Sequence, residues 1–464
     1  RSRRVVADWE RRVGAVKHDA RGLELSTDSA EAAALFDRAV EHYLKYHIDT
    51  MHLVNDALAA DPGFVMGHCL KGYLMLAGAN PAHRAAIGAC LAAAEAGVAV
   101  ATKREQRHVA ALAAWRRGAL GDAFAIWREL LDADPTDLLA VRICDTTHFR
   151  FGHTQEVLEQ ADRLAPAWSA ELPGYDCFQS VWAFAHEESG DTAGAERAID
   201  SAYACDPANF FAHHVKAHIL EMENRPREGN DWLAAQTGYW PIGNNLVHHL
   251  WWHRALMQID LGERDAVLAS YDDNIRNLEA PLTKAVPDQF NDLQNATALL
   301  WRLELLGLGV GGRWDELADK AEARIGDTAY LLLPPHLMLA LAATGRDDAA
   351  ARFLAALRAQ ADDPSVFAAV AIGEVVLPVC EAGLAHRRGQ HARVVDLMVP
   401  VGDAMRLLGG SAAQRDLFRQ ILIDSAMKAD RRDVVAAMIA QETAGRSVPP
   451  SERAGYAAAA RWLM

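Results

Sequence analysis

The chain has 464 residues, of which 51% are hydrophobic, and a formal net charge of −15. This composition is typical of a soluble globular protein with a large core. The acidic balance argues against binding to nucleic acid or to an anionic membrane surface, because both attract Lys and Arg. The six cysteines form no Cys-x-x-Cys pair, and the basic N-terminus lacks the apolar stretch of a secretory signal. We therefore expect a cytoplasmic protein.

Ala-rich amphipathic segments of helical length recur along the whole chain and predict an all-α fold. The first predicted helices cover 1–20, 30–47 and 50–60, and Ser29 precedes the second of them as a capping residue. Three helices are predicted to end at Asp-Pro, at 57–62, 130–135 and 202–207. The first two of these ends lie 73 residues apart. That spacing is close to two tetratricopeptide periods of about 34 residues each.

The pattern predicts a tetratricopeptide-like superhelix, an α-solenoid of about ten helix pairs. Residues 1–60 are assigned to capping helices and residues 61–278 to repeats with a His-rich inner face. Residues 279–464 are assigned to further helical repeats continuous with the first set. A Pro-containing break at 278–289 lies between the two sets.

Two copies of His-His-x-x-x-His contain six of the 19 histidines, namely His213, His214 and His218, then His248, His249 and His253. Residues i, i+4 and i+7 share one face of a helix, so His214, His218 and Glu221 form a stripe. Counting back from the predicted helix ends at Asn224 and Gly262 places this stripe and His249 on the inner face. The same count places Trp252 inside. It assigns His213 and His248 to packing and His253 nearer to the packing side.

The spacing His-x-x-x-His lets two imidazoles share a divalent metal ion, and a nearby carboxylate completes a common ligand set. We therefore predict His214, His218 and His249 as metal ligands. Without a metal, the same residues and Glu221 could perform acid–base catalysis. Further candidates for ligand binding are Glu187, Trp252, His253, Asn295 and His68. His148 and His108 lie on other predicted first helices and are weaker candidates.

Two functions remain open from the sequence. The first is a small-molecule or metal site inside the superhelix. The second is a scaffold that binds a peptide or protein partner in its groove, and the acidic charge favours a basic partner. The apolar end of the predicted helix 450–464, with Trp462, Leu463 and Met464, also favours self-association as a homodimer.

Several motifs resemble those of the tetratricopeptide repeat protein 38 family, which is largely uncharacterised and occurs in bacteria and animals. The similarity covers roughly Gly22 to the 440s. Its motifs are ALAADP at 57–62; His214, His218, Glu221 and Met222; His249, Trp252 and His253; and the stretch from Asn295 to Leu305. The resemblance implies a helical-repeat fold and a bacterial origin for this chain. Leu250 and Asn295 stand where the family pattern has Asn and Asp, which points to a different ligand.

Overall fold

The computed structural model describes residues 17–444 and 448–464, and within them the chain is almost entirely helical. This confirms the predicted all-α class. Two short strands in this part, β1 (Lys17–His18) and β2 (Glu24–Leu25), pair antiparallel. The helix predicted over 1–20 lies mostly outside the described residues, and Lys17–His18 is a strand instead. The reason is local: the Asp19 side chain accepts from the backbone N–H groups of Arg21 and Leu23, which fixes a turn.

The helices follow one another through short connections. Those up to residue 222 are α1 (Ala30–Leu44), α2 (Thr50–Ala60), α3 (Val65–Ala77), α4 (Arg84–Gly97), α5 (Lys103–Arg116), α6 (Leu120–Ala133), α7 (Leu138–Arg150), α8 (Thr154–Leu164), α9 (Tyr175–Glu188), α10 (Thr192–Cys205) and α11 (Phe210–Met222). The next are α12 (Pro226–Gln236), α13 (Leu246–Asp260), α14 (Arg264–Ser270), α15 (Pro281–Ala285), α16 (Phe290–Leu305), α17 (Trp314–Ala323), α18 (Leu333–Ala343) and α19 (Asp347–Ala361). The last are α20 (Ala369–Ala371), α21 (Leu377–Arg387), α22 (His391–Met398), α23 (Ala412–Lys428), α24 (Arg432–Thr443) and α25 (Ala454–Leu463).

Local chemistry explains where these helices begin and end. The Ser29 side chain accepts from the backbone N–H of Ala32 and starts α1, as predicted. The Asp-Pro motifs end α2, α6 and α10 at Asp61, Asp134 and Asp206, each of which has an extended or non-helical backbone. A following proline disfavours helical geometry in the residue before it, so the repeated motif produces a repeated helix end.

Neighbouring helices along the chain pack in succession, most extensively α9 with α10 and α1 with α2, an arrangement consistent with an α-solenoid. Residues of the C-terminal part also contact residues of the N-terminal part. Glu188, at the end of α9, accepts from the backbone N–H of Ala412 at the start of α23 at 3.0 Å. The side chain of Arg406 donates to the carbonyl of Gly152. Helix α23 also contacts α11 and α16, so the chain itself covers the face that carries the histidines.

Two helical stretches, Pro81–Val100 and Ala369–Arg387, are long and apolar enough to cross a membrane by length and composition alone. Core helices of soluble proteins pass the same test, and half of the second stretch is buried in the fold. From the sequence, the apolar run at 367–380 is expected to be too short to span a bilayer. A π-helical turn at Ile372–Val376 joins this run to α21 and makes the continuous helix longer than expected.

The C-terminal helix α25 packs against the core rather than standing free. Trp462 and Leu463 are half-buried there, and only Met464 of the three apolar end residues is exposed. The argument for self-association through this end is therefore weaker than the sequence suggests.

Candidate functional site

Four buried histidines meet where α11 packs against α13. His214 and His218 lie one turn apart on α11, and His249 and His253 lie one turn apart on α13, as the i, i+4 spacing requires. One ring nitrogen from each residue can be chosen so that all four lie within 4.8 Å of one another. The Nε2 atoms of His214 and His218 face each other at 3.0 Å. The cluster joins the two sequence motifs into one site.

The first histidine of each motif lies outside the cluster. Nε2 of His213 is 2.8 Å from the carbonyl oxygen of Pro207. Nδ1 of His248 is 3.0 Å from a carboxylate oxygen of the buried Asp292. Both contacts are structural, as the count along each helix predicts.

His253 is where that count is wrong. The sequence analysis assigns it to the packing side, yet its ring centroid lies 4.5 Å from that of His218 and 4.6 Å from that of His249. The two motifs are offset by three residues relative to their helix ends, which is nearly one turn. The packing of α11 against α13 determines which residues face each other, and a count within one helix does not include that packing.

Neighbouring side chains fix the tautomers of the two histidines on α13. Nδ1 of His249 lies 2.8 Å from Oδ1 of Asn295, and Nδ1 of His253 lies 2.8 Å from Oε2 of Glu221. A carbonyl or carboxylate oxygen only accepts, so each Nδ1 carries the proton and donates it. The lone pair is then on Nε2, the arrangement found in histidines that bind metals. Glu221 thus supports His253 rather than extending the stripe of His214 and His218.

All four imidazoles are neutral in this surrounding. Burial lowers the pKa of both His249 and His253 to about 3, and the neighbouring His253 lowers the pKa of His249 further. Burial first, and then the other histidines, hold the pKa of His214 and of His218 well below the usual range. A neutral imidazole is the form that binds a metal ion.

Two carboxylates lie near Nδ1 of His218. An oxygen of Glu187 lies 3.6 Å from Nδ1 of His218, and an oxygen of Glu188 lies 3.9 Å from it. Glu188 is held by Arg415 and by the start of α23. Neither oxygen of Glu187 has a hydrogen-bond partner among the described residues. Burial, and then the charges of Glu188 and Glu221, raise the pKa of Glu187 well above its usual value. Glu187 therefore favours its protonated form.

A tetrahedral Zn²⁺ site has Zn–N distances of about 2.0–2.1 Å, which places its nitrogens about 3.4 Å apart. The nitrogens of the cluster span up to 4.8 Å. The widest pair is thus about 1.4 Å further apart than in such a site, a gap that two rings would close by moving about 0.7 Å each. The number of ligands, their type and their supporting hydrogen bonds fit a transition-metal ion.

The other predicted residues have structural roles. Trp252 is fully buried and stacks on His249 with ring centroids 5.0 Å apart, so it supports the site from the core. His68 makes its contact outside the cluster: its Nε2 is 2.9 Å from the carbonyl oxygen of Pro62. The structure does not bring His68 together with the four clustered histidines.

The two weaker histidine candidates also lie elsewhere. His108 bonds to Asp137 at 2.9 Å, and His148 stacks on Phe124 with ring centroids 3.8 Å apart. Both contacts belong to the packing of the N-terminal helices.

A cavity of about 80 Å³ adjoins the cluster, and His214 and His249 form part of its wall. The sequence analysis missed its polar residues on other helices, which include Tyr46, Arg142, Asp145, Thr146, Arg150 and Gln414. One signal was present in the sequence: Arg142 and Asp145 are a charged pair at i, i+3 within the otherwise apolar start of α7. Nothing in the sequence connects that pair to histidines about 70 residues later.

No protein-family model matches the chain. The four-histidine cluster is therefore the feature from which a function can be argued.

Proposed function

We propose that this chain is a tetratricopeptide-like helical-repeat protein of the cytoplasm, related to the tetratricopeptide repeat protein 38 family. In this proposal it binds one divalent transition-metal ion through His214, His218, His249 and His253. The ion acts on a small molecule held in the adjoining cavity. The observation that carries the proposal is the convergence of four buried imidazoles, two of which, His249 and His253, are held at Nδ1 by Asn295 and Glu221.

Burial is the physical argument for a ligand in the cluster. Polar atoms that are buried without a partner cost free energy, and native proteins retain few of them. Among the described residues, no hydrogen bond is made by Nδ1 of His214, Nδ1 of His218, Nε2 of His253 or either oxygen of Glu187, all of which are buried. An ion bound by the imidazoles would occupy Nε2 of His253. Imidazole ligands favour Zn²⁺, Cu²⁺, Fe²⁺ or Ni²⁺ over Mg²⁺ or Ca²⁺.

The site could support metal-assisted chemistry. A bound ion that took an oxygen of a small molecule as a fifth ligand would polarise that oxygen and stabilise negative charge that develops on it. Glu187 lies 3.6 Å from Nδ1 of His218, so its charge state would affect that imidazole. His214 and His249 line both the cluster and the cavity, so a molecule in the cavity would lie next to the ion.

The alternative, a scaffold that holds a peptide in its groove, receives less support. Helix α23 covers the histidine face, and Arg302 donates to the carbonyl of Ala413 at 2.9 Å across that contact. A partner peptide would have to displace a helix with buried residues such as Leu417 and Phe418.

The test is metal content and cobalt binding. Purified protein should contain about one equivalent of a transition metal by mass spectrometry. After the metal is removed with a chelator, Co²⁺ should restore one equivalent and give the visible absorption of nitrogen coordination. His218→Ala should abolish this absorption, whereas His213→Ala, five residues earlier on the same helix, should keep it. Wild-type protein that binds neither the native metal nor Co²⁺ would overturn the proposal.

A further inference from the structure

The cavity beside the histidine cluster is basic as well as small. Arg142 and Arg150 both contribute to its wall, together with a single acidic residue, Asp145. Two histidines, His214 and His249, also form part of the wall. Burial raises the pKa of Asp145 to about 7, although Arg142 opposes this shift. The wall therefore carries net positive charge.

Arg142 is held in place by its neighbours, but not all of its hydrogen-bond donors are used. It is 3% exposed, its guanidinium lies 4.4 Å from the ring centre of Phe211, and it donates to the hydroxyl of Tyr46. Its nearest carboxylate oxygen, on Asp145, is 3.6 Å away, which is too long for a hydrogen bond. Within residues 17–444 and 448–464, the Nε of Arg142 has no hydrogen-bond partner. A buried guanidinium with an unused donor favours an anionic acceptor beside it.

A second donor in the same wall is also unused. The hydroxyl of Thr146 is buried and has no hydrogen-bond partner in the part of the chain that the structure describes. Phe211 connects these donors to the metal-binding cluster, because its ring stacks on His214 with centroids 5.8 Å apart while Arg142 lies over it. An anion bound between Arg142 and Thr146 would thus lie next to His214.

The volume of the cavity limits which anion can bind in it. An apolar cavity of about 150 Å³ holds benzene, which has six heavy atoms. The cavity of about 80 Å³ has room for three or four heavy atoms by the same scale. Arg150 also lines a larger cavity of about 730 Å³.

We infer that this cavity binds the carboxylate of a small organic acid through Arg142 and Thr146, next to the ion held by the four histidines. The inference rests on the proposed metal centre for the role of the bound acid. The planar guanidinium matches the two oxygens of a carboxylate, and the cavity is close to the size of acetate.

Acetate is the probe for the test. Titration of acetate into Co²⁺-loaded protein should be saturable and should perturb the visible absorption of the cobalt. Arg142→Met should weaken acetate binding at least about tenfold, because a charged hydrogen bond is lost. Thr146→Val, which changes only the hydroxyl, should weaken it about threefold or more. Arg276→Met removes a buried arginine that pairs with Glu316 away from the cavity and should leave acetate binding unchanged.

The outcomes separate the two proposals. One equivalent of bound Co²⁺ without saturable acetate binding would overturn the carboxylate site and leave the metal centre standing. Equal acetate affinity in wild type, Arg142→Met and Thr146→Val would do the same. If Co²⁺ does not bind, the metal centre fails, and calorimetric titration of acetate then tests whether Arg142 and Thr146 still bind the carboxylate. Inorganic phosphate that binds more tightly than acetate would overturn the choice of a carboxylate.

Discussion

Glu221 provides the sharpest test of how the proposed metal centre is held together. Its carboxylate accepts from Nδ1 of His253 at 2.8 Å, which orients the ring and makes its Nε2 more basic. Glu221→Gln preserves the volume and an accepting oxygen but removes the negative charge. Loss of such a supporting group typically weakens metal binding 10–100-fold, or about 1.4–2.7 kcal/mol. We expect a loss of this size for Co²⁺.

The assay is competition between the protein and a chromophoric chelator for Co²⁺ at fixed pH and ionic strength. Glu223→Gln is the matched control, because Glu223 is two residues away and pairs with Arg225 at 2.7 Å outside the cluster. A Glu221→Gln affinity within about threefold of the Glu223→Gln affinity would refute the argument, since a supporting carboxylate should contribute at least tenfold. Circular dichroism should show that both variants are folded.

Three further predictions concern the fold and its charges. Gly152 has a φ of +70°, and a Cβ there would overlap the backbone of Arg406. Gly118 has a similar φ of +81°, but a Cβ there would meet no other atom. Gly152→Ala should therefore lower the free energy of unfolding in urea by about 1–3 kcal/mol more than Gly118→Ala does. Asp137→Asn should lower the free energy of unfolding by about 3–5 kcal/mol in the same assay, because it leaves Arg104 buried without its carboxylate at 2.7 Å. The pKa of Asp145 is raised to about 7, so its protonated form stabilises the fold at low pH and this contribution is lost as pH rises towards 7. The stability of wild type relative to Asp145→Asn should thus fall by about 2–3 kcal/mol between pH 5 and pH 7, and parallel pH profiles would contradict this.

Helix ends were predictable because they depend on local chemistry. The Asp-Pro motifs stop α2, α6 and α10 whatever packs against them, since the proline acts on the residue just before it. The same holds for Ser29 at the start of α1. The 17–25 hairpin was missed because an Asp side chain at residue 19 competes for the backbone within a charged segment.

The site was predictable in part. The i, i+4 spacing of His214 with His218 follows from helical geometry alone, and so does the separation of His213 from them. The sequence could also point to Asn295, through the resemblance of its motif, and Asn295 does hold His249. It could not find Arg142 or Thr146, because α7 reaches the cluster only through the packing of aromatic side chains such as Phe211.

By itself, the sequence determined that the chain is helical, where many of its helices stop, and that two helices each carry a pair of histidines on one face. These properties follow from interactions within about one turn of the chain. Only the tertiary structure decided that His253 belongs to the cluster, that Glu221 supports it, and that α23 covers it. Such outcomes depend on the register between packed helices. If one helix shifted by one turn along the other, a different histidine would face the cluster.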